Sequence, residues 1–132
     1  MHVVAGVLVD AAGRILIAQR PPGKHLAGMW EFPGGKLEPG ETPVAALERE
    51  LDEELGIVVD PASFEPLVNV PWNYGERDML LEAIVVRAWH GDARALDAAA
   101  IEWLEPRGID PDRLAPADRP ILAAFVRRLG AA

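Results

Sequence analysis

The sequence predicts one domain of mixed α and β structure (α+β), with a mixed β-sheet sandwiched between helices. Two observations lead to this fold class. Short apolar, β-branched segments are followed by helical ones, and the two kinds do not alternate as a regular βαβ series. The chain has 132 residues, of which 50% are hydrophobic and 26% are charged. This is enough for a single domain over residues 1–132 with its own core.

The N-terminal part of the chain predicts two strands, a short extended segment and a glycine turn. Residues 3–9 and 15–19 are apolar and rich in β-branched side chains, and residues 10–14 between them favour a turn. We therefore expect the two strands to pair as a hairpin. Residues 30–32 form the extended segment, and the glycines at 34–35 predict a turn whose backbone can approach a ligand closely.

A helix is predicted from Pro43 to the residue before Gly56. Thr42 is an N-cap candidate, and Pro43 occupies the first helical position, where its missing N–H costs nothing. A glycine such as Gly56 is typical of a helix end. An apolar stripe is expected to pack on the sheet, formed by Val44, Leu47, Leu51 and Leu55. The acidic side chains would then lie on the other side of the helix.

The second half of the chain predicts three strands, a loop and a final helix. The strands are residues 64–70, 79–89 and 101–104. Residues 71–77 are polar and aromatic, as in loops that contact ligands. Residues 106–116 contain three prolines and can hold no more than a turn or a short helix. The final helix begins near Asp118, and its apolar face consists of Ile121, Leu122, Phe125, Val126 and Leu129.

Composition excludes several classes of function. The chain has no cysteine, which excludes disulfides, thiol catalysis and cysteine-ligated zinc. No apolar run is long enough for a membrane span and the N-terminus lacks a signal-peptide pattern, so a cytoplasmic protein is expected. The net charge of −8 disfavours direct binding of nucleic acid. An acidic protein that handles phosphates would need metal ions to bridge the two.

Three carboxylates on the predicted helix indicate a metal site. Glu50, Glu53 and Glu54 are spaced i, i+3 and i+4, so they project from one helical face, where like charges repel unless a cation neutralises them. Carboxylate oxygens on a rigid helix suit Mg²⁺ or Mn²⁺. The alternative is a solvated acidic face, which is what most charge clusters are. The lack of intervening lysines and the preceding glycine pair favour the metal site.

The segment from Gly35 to Ile57 resembles the signature of the Nudix hydrolases. That signature, GX5EX7REUXEEXGU, is matched at every specified position, by Gly35, Glu41, Arg49, Glu50, Leu51, Glu53, Glu54, Gly56 and Ile57. Residues 4–20, 30–35 and 116–121 are similar to the MutT branch of the family, so the resemblance covers nearly the whole chain. It implies the Nudix fold.

The resemblance implies a role for each polar residue of the helix. Glu50 and Glu54 would be the principal side-chain ligands of Mg²⁺ or Mn²⁺, and the carbonyl of Gly34 would complete one site. Glu53 would bind metal and also act as the general base that activates water. Arg49 would orient the carboxylates through charge-assisted hydrogen bonds.

Two further acids are each open to two interpretations. Glu41 could join a metal site or brace the loop. Asp97 stands where MutT-like enzymes carry an acid within a Glu-Gly-Gln stretch, although here Ala98 and Ala99 follow it. Asp97 is therefore a candidate metal ligand or base, and the alternative is a loop cap.

Four residues match positions that lie near the nucleotide in MutT-like proteins. Arg20 would contact phosphate, His25 lies in the following loop, and Phe32 would line the base pocket. Asp118 stands where these proteins carry the Asn or Asp that contacts the base edge. The alternatives are a solvated loop residue for His25, a core aromatic for Phe32 and a helix N-cap for Asp118.

The resemblance implies a Mg²⁺-dependent nucleoside triphosphate diphosphatase that releases nucleoside monophosphate and pyrophosphate. Its expected duty is to sanitise oxidised nucleotides such as 8-oxo-dGTP. The alternatives are a cytidine-type (CTP or dCTP) or other nucleoside diphosphate-X pyrophosphohydrolase, and a non-catalytic nucleotide sensor. The expected partner is a small-molecule nucleotide, with no membrane and no direct nucleic-acid contact. The chain is expected to be a monomer or a homodimer.

Overall fold

The computed structural model describes residues 1–131, which form nine strands, two α-helices and four short 3₁₀ segments. The strands are β1 His2–Leu8, β2 Ile15–Gln19, β3 Trp30–Glu31, β4 Gly34–Lys36, β5 Val58–Val59, β6 Glu65–Tyr74, β7 Arg77–Val86, β8 Trp89–His90 and β9 Ala100–Leu104. The helices are α1 Pro43–Leu55 and α2 Arg119–Gly130. The 3₁₀ segments are Pro61–Ser63, Pro106–Gly108, Pro111–Arg113 and Pro116–Asp118. Neither α-helix of this described part has the length and apolar character that crossing a membrane requires.

The strands form two main sheets and a small ribbon. Strands β4, β1, β7 and β6 lie side by side in that order, with β1 parallel to β7 and the other neighbours antiparallel. Strands β3, β2 and β9 form an antiparallel sheet, and β5 pairs with β8. The parallel pair inside an otherwise antiparallel sheet confirms the expected mixed sheet.

Strand β1 is buried on both faces, and its alternate side chains enter two separate cores. Val4 and Leu8 pack with Leu51 of α1, whereas Val7 packs in the other core with Phe125 of α2. An inner strand that is apolar on both faces needs a covering layer on each side. The two helices supply these layers, so the sheet lies between helices as predicted.

The predicted hairpin of the first two strands is wrong. β1 pairs with β7 and β4, whereas β2 pairs with β3 and β9. A single bridge, Val9 with Ile15, joins the two segments where β1 has ended. The cause is that β4 and β7 occupy the two edges of β1, so neither edge is left for β2.

The predicted glycine turn is also wrong, because Gly34 and Gly35 are extended residues of β4 that pair with Ala5 and Val4. Space rather than backbone freedom requires glycine at both positions. A Cβ on Gly34 would overlap the carbonyl oxygen of Val4, and one on Gly35 would lie 2.5 Å from the carboxylate of Glu50. The close approach that glycine allows here is to the protein's own backbone and to a carboxylate.

The predicted loop at residues 71–77 is wrong as well. β6 continues to Tyr74 and joins β7 through a tight turn at Gly75, which has a φ of 68°. Because β6 is an edge strand, it tolerates Pro71, whose nitrogen cannot donate to a neighbouring strand. The strand predicted over residues 64–70 is therefore present and longer. The strand predicted over residues 79–89 corresponds to β7, which ends at Val86, and to the start of β8. The strand predicted over residues 101–104 corresponds to β9.

Both helices lie where the sequence predicts them. Thr42 Oγ1 accepts a hydrogen bond from the N–H of Ala45 at 3.1 Å, and Gly56 ends α1 with a left-handed φ of 70°. The apolar stripe differs at Val44, which is 40% exposed, and the buried residues of α1 are Ala46, Leu47, Leu51 and Leu55. Helical periodicity predicts which side of a helix packs on the sheet, but not which turns of the helix are in contact with it. Val44 is in the first turn of α1, and the buried residues of the helix begin only at Ala46.

Candidate active site

A single arginine holds the acids of α1 and of the preceding loop together. Arg49 donates to both carboxylate oxygens of Glu41, from Nε at 2.8 Å and from Nη2 at 2.9 Å. Its Nη1 donates to Glu50 at 2.9 Å and to Glu53 at 3.4 Å, and Nη2 also donates to the carbonyl of Lys36 at 3.1 Å. The planar guanidinium therefore fixes the relative positions of these carboxylates.

Glu41 has the contacts of a loop brace. Besides the bidentate pair with Arg49, its Oε1 accepts a hydrogen bond from the N–H of Glu38 at 2.9 Å. These hydrogen bonds, that from Arg49 first, lower the pKa of Glu41 to about 2. The carboxylate is therefore ionised over the whole physiological range of pH.

Glu54 is the acid whose surroundings most disfavour a negative charge. Its Oε2 accepts a hydrogen bond from the N–H of Gly34 at 3.2 Å. Burial, followed by the charges of Glu50, Glu31 and Asp97, raises the pKa of this carboxyl to about 9. Near neutral pH, Glu54 therefore holds a proton unless a cation is close enough to replace it.

Sequence reasoning missed Glu31, which the fold brings to the acids of α1. Glu31 lies in β3 and lines, with Glu54 and Asp97, a cavity of about 30 Å³. Burial raises the pKa of Glu31, although the charge of Arg20 opposes this shift. The sequence does carry a signal for Glu31, which is a single acidic residue between two aromatic ones just before the glycine pair. Glu31, Glu50, Glu54 and Asp97 are called the acid cluster below.

Some oxygens of these carboxylates accept hydrogen bonds from donors of the protein itself. One oxygen of Glu50 accepts from Arg49 and one of Glu54 accepts from Gly34, and the side chain of Glu53 is 59% exposed beside them. Within residues 1–131, no three His, Cys, Asp or Glu side chains are already arranged around one point as metal ligands. The acids are therefore neighbours without forming a preformed set of metal ligands in this part of the chain.

Three of the four residues expected to lie near the nucleotide, Arg20, Phe32 and Asp118, meet in a pocket beside the acid cluster. Together with Tyr74 they line a cavity of about 100 Å³, called the nucleotide pocket below after the ligand that the sequence resemblance implies. Arg20 and Tyr74 also border an adjoining cavity of about 710 Å³, which His25 lines. The His25 ring packs edge-on against Tyr74, with ring centroids 5.3 Å apart. His25 is therefore an exposed loop residue with a defined contact.

Asp118 occupies the N-cap position of α2, but its side chain makes no capping hydrogen bond, so the N-cap alternative holds for its position and not for its side chain. The residue is 7% exposed, and its Oδ2 accepts a hydrogen bond from the N–H of Phe32 at 2.8 Å rather than from the first turn of α2. Burial, with the charge of Glu31, raises the pKa of Asp118 to about 7. Phe32 is itself buried in the core and also lines the nucleotide pocket. Both interpretations of Phe32 are thus compatible with its position.

Another cavity, of about 840 Å³, lies against α2 and has no lining residue in common with the nucleotide pocket or the acid cluster. It is mainly apolar, and Trp72 forms part of its wall. Trp72 and Tyr74 lie on the same face of β6 with ring centroids 6.2 Å apart, but Trp72 lines this cavity and Tyr74 lines the nucleotide pocket. Because none of the carboxylates of the acid cluster lines it, this larger cavity is distinct from the candidate site.

Comparison with known proteins identifies the family of this chain. The family model described as the NUDIX domain matches residues 4–124. The 8-oxo-dGTP diphosphatase of Escherichia coli K12 is 32% identical over 127 residues, which cover 96% of this chain and 97% of that protein. The CTP pyrophosphohydrolase of the same strain is 39% identical over 126 residues, covering 96% and 92%. The solution structure of the E. coli ORF135 protein superposes with a TM-score of 0.86 at 39% identity, covering 98% and 91% of the two chains.

The match extends over the fold and over the residues that build the site. It includes most of β1, the glycines of β4, helix α1 and the start of α2. Nudix hydrolases generally require a divalent metal ion, which is consistent with a cluster of acids beside a pocket. From the matched family model, the fold and the relatives together, this chain belongs to the Nudix family of hydrolases.

Proposed function

We propose that this enzyme hydrolyses nucleoside triphosphates to nucleoside monophosphate and pyrophosphate, and that it removes oxidised nucleotides such as 8-oxo-dGTP before they enter DNA. The observation that carries the proposal is Glu54, a carboxyl buried among Glu50, Glu31 and Asp97 beside the nucleotide pocket. Four acids next to a pocket for an anionic substrate would repel it unless a cation also binds there. The E. coli relative named 8-oxo-dGTP diphosphatase supports the choice of substrate.

Mg²⁺, with Mn²⁺ as a substitute, suits the donors present at the site. Glu50, Glu53, Glu54 and the carbonyl of Gly34 would hold it, with Asp97 as a further ligand. All five supply the hard oxygen atoms that these ions prefer. Burial and the negative charges of Glu50, Glu31 and Asp97 raise the pKa of Glu54, and a bound cation would offset both effects. When bound, the metal draws negative charge from the phosphates and orients water.

The remaining chemistry belongs to side chains of the chain. Glu53, exposed beside the other acids, accepts the proton of the water that attacks phosphorus. Arg49 keeps Glu50 in place through its charge-assisted hydrogen bond, and Glu41 anchors Arg49 in turn. The bond between phosphorus and the leaving oxygen breaks as the new one forms, which yields the two products.

Residues of the nucleotide pocket and its rim would hold the substrate. Arg20 donates to a phosphate oxygen, and His25 lies beside it at the adjoining cavity. Phe32 supplies an apolar surface for the base, and Asp118 meets the polar edge of the base. The polar groups fix orientation while the apolar wall excludes water.

A cytidine-type activity is the second candidate. The relative named CTP pyrophosphohydrolase is 39% identical over nearly the whole chain, more than the 32% of the E. coli 8-oxo-dGTP diphosphatase. An ionised Asp118 can accept a hydrogen bond from the exocyclic amino group of cytosine. This candidate shares the reaction and the metal requirement and differs only in the base.

A panel of nucleotides assayed with and without Mg²⁺ tests both candidates. The proposal predicts metal-dependent release of pyrophosphate, with 8-oxo-dGTP preferred over dGTP, CTP and dCTP. A preference for CTP or dCTP would select the second candidate, and nucleotide binding without turnover would indicate a sensor. The proposal also includes a cytoplasmic location, a free nucleotide as the partner without direct nucleic-acid binding, and a monomeric or homodimeric enzyme.

A further inference from the structure

Glu31 lies between the two halves of the site, although the Nudix signature does not include it. The residue belongs to β3, which leads directly into the glycines of β4. Its side chain lines the small cavity that Glu54 and Asp97 share, and it also lines the nucleotide pocket beside Asp118. A charged side chain at this boundary can affect either the metal or the nucleotide. Its hydrogen bond distinguishes between these two roles.

The carboxylate of Glu31 is bonded to Arg20. Arg20 Nε donates to Glu31 Oε2 at 2.8 Å, and Arg20 Nη1 donates to the carbonyl of His25 at 3.1 Å. Within the described residues these two bonds hold the guanidinium from two sides and leave its other N–H groups available. The Arg20 side chain is 31% exposed and lines the nucleotide pocket, so a ligand there can reach those groups.

We propose that Glu31 is a positioning residue, which holds the Arg20 guanidinium so that its remaining N–H groups donate to a phosphate oxygen of the bound nucleotide. This inference rests on the proposed function, since it takes the pocket as the nucleotide site. An unrestrained arginine loses conformational freedom each time a ligand immobilises it. The bond to Glu31 removes part of that freedom before the nucleotide arrives, and so lowers the KM.

The same bond argues against Glu31 as a metal ligand. Its Oε2 already accepts a hydrogen bond from Arg20 Nε at 2.8 Å, at the boundary between the small cavity of Glu54 and Asp97 and the nucleotide pocket. A metal ion bound to the same carboxylate would lie close to the Arg20 guanidinium, and the two positive charges would repel each other. The positioning role therefore predicts an effect on nucleotide binding and none on the Mg²⁺ requirement.

A double-mutant cycle on the KM for the nucleotide tests the proposal, with Glu31→Ala, Arg20→Ala and the double variant. Each single variant should raise the KM about tenfold with little change in kcat, which is the scale of one charge-assisted hydrogen bond. If Glu31 acts through Arg20, the double variant should have nearly the same KM as Arg20→Ala alone. Single effects that multiply in the double variant would overturn the proposal.

Glu65→Ala is the matched control, because Arg87 Nε donates to Glu65 Oε1 at 3.1 Å in a similar pair that lines neither site cavity. It should leave the KM unchanged. Glu31→Gln keeps an oxygen that can accept from Arg20 Nε, so it should raise the KM less than Glu31→Ala. If the alanine variant does not fold, Glu31→Leu replaces it in the cycle, because leucine fills similar space and has no atom that can accept a hydrogen bond from Arg20.

Two further measurements separate the possible failures. A higher Mg²⁺ requirement in Glu31→Ala at an unchanged KM would identify a metal ligand and overturn the positioning role. Calorimetric binding of a nucleoside monophosphate repeats the cycle without turnover. If the effects of Glu31→Ala and Arg20→Ala on binding are coupled but the wild-type protein hydrolyses none of the nucleotides, the proposed function is wrong and the positioning role of Glu31 is supported. If the wild type does not bind the monophosphate, the positioning role fails.

Discussion

At the scale of single residues, Glu53 is the side chain to which proton transfer is assigned. It is exposed next to Arg49 and takes part in no buried contact that its replacement would disrupt. Glu53→Gln keeps the size of the side chain but cannot accept the proton, so kcat should fall roughly a hundredfold or more. The KM should change little, because the residue does not line the nucleotide pocket. Steady-state kinetics on the preferred nucleotide provides both values.

Glu48→Gln is the control for this prediction, because Glu48 lies on the same helix but borders an outer groove with Asp52 and Val58. Removing its charge should leave kcat unchanged. If Glu53→Gln retained full turnover, Glu53 could not be the base, and another carboxylate would have to accept the proton.

Asp118 should make base selection depend on pH. Its pKa of about 7 means that its carboxyl is a donor and an acceptor below that pH, and an acceptor only above it. The ratio of kcat/KM for 8-oxo-dGTP to that for dCTP should therefore change between about pH 6 and 8. In Asp118→Asn the ratio should be constant, since an amide does not titrate and its oxygen can still accept from Phe32 N–H. Competition assays across this range measure it, and a pH-dependent ratio in the asparagine variant would contradict the assignment.

Residues of the site differ in how far the sequence reveals them. The acids of α1 are predicted because helical spacing alone places them on one face. Glu31 is not, because its contact with Arg20 depends on the pairing of β3 with β2, which no local pattern specifies. Asp118 shows a third case, in which the residue is found but its hydrogen bond runs to Phe32 rather than to its own helix.

At the scale of secondary structure elements, β4 has two glycines whose replacements should fail in different ways. Gly34→Ala would place a Cβ on the carbonyl of Val4 and separate β4 from β1, so the Tm should fall sharply. Gly35→Ala meets only the movable end of the Glu50 side chain, so the Tm should fall less while the Mg²⁺ requirement rises. Thermal unfolding and Mg²⁺ titration of activity distinguish the two.

Gly130→Ala is the control for both glycine variants, because an added Cβ at this end of α2 meets nothing within 4 Å. It should be neutral or slightly stabilising, since alanine favours helix over glycine. An equal loss of stability in Gly34→Ala and Gly35→Ala would show that β4 responds as a unit and that Gly35 has no separate link to Glu50.

Helices and strands also differ in how far the sequence specifies them. The ends of α1 are predicted by Thr42, Pro43 and Gly56 because capping uses neighbouring residues only. The hairpin predicted for β1 and β2 is wrong because the pairing of a strand depends on which other segments of the chain reach its edges. Here β7 pairs with β1 and β9 pairs with β2. The prolines of β6 mislead for a related reason, since they suggest a break unless the strand is known to be an edge.

At the scale of the whole molecule, the acid cluster should couple folding stability to pH and to metal. A carboxyl whose folded pKa is raised binds its proton more tightly in the folded state than in the unfolded state. Its stabilising contribution is therefore complete below its ordinary pKa and is lost as the pH rises through the folded value. For Glu54 that window runs from 4.5 to about 9, and for Asp118 from 3.8 to about 7. Glu41, with its lowered pKa, acts only on the acid side, where stability falls toward pH 2.

The Tm of the metal-free enzyme should accordingly decrease between about pH 5 and pH 9. Mg²⁺ should raise the Tm more at the alkaline end of this range, because there the metal does not compete with protons for the carboxylates. Scanning calorimetry across this range, with and without Mg²⁺, measures both effects. Glu54→Gln removes the carboxyl with the widest titration window, so its Tm should vary less with pH and gain less from the metal. A wild-type Tm that is constant across the range and indifferent to Mg²⁺ would mean that the charges of the acid cluster are already balanced, and a metal ion would then have no electrostatic reason to bind there.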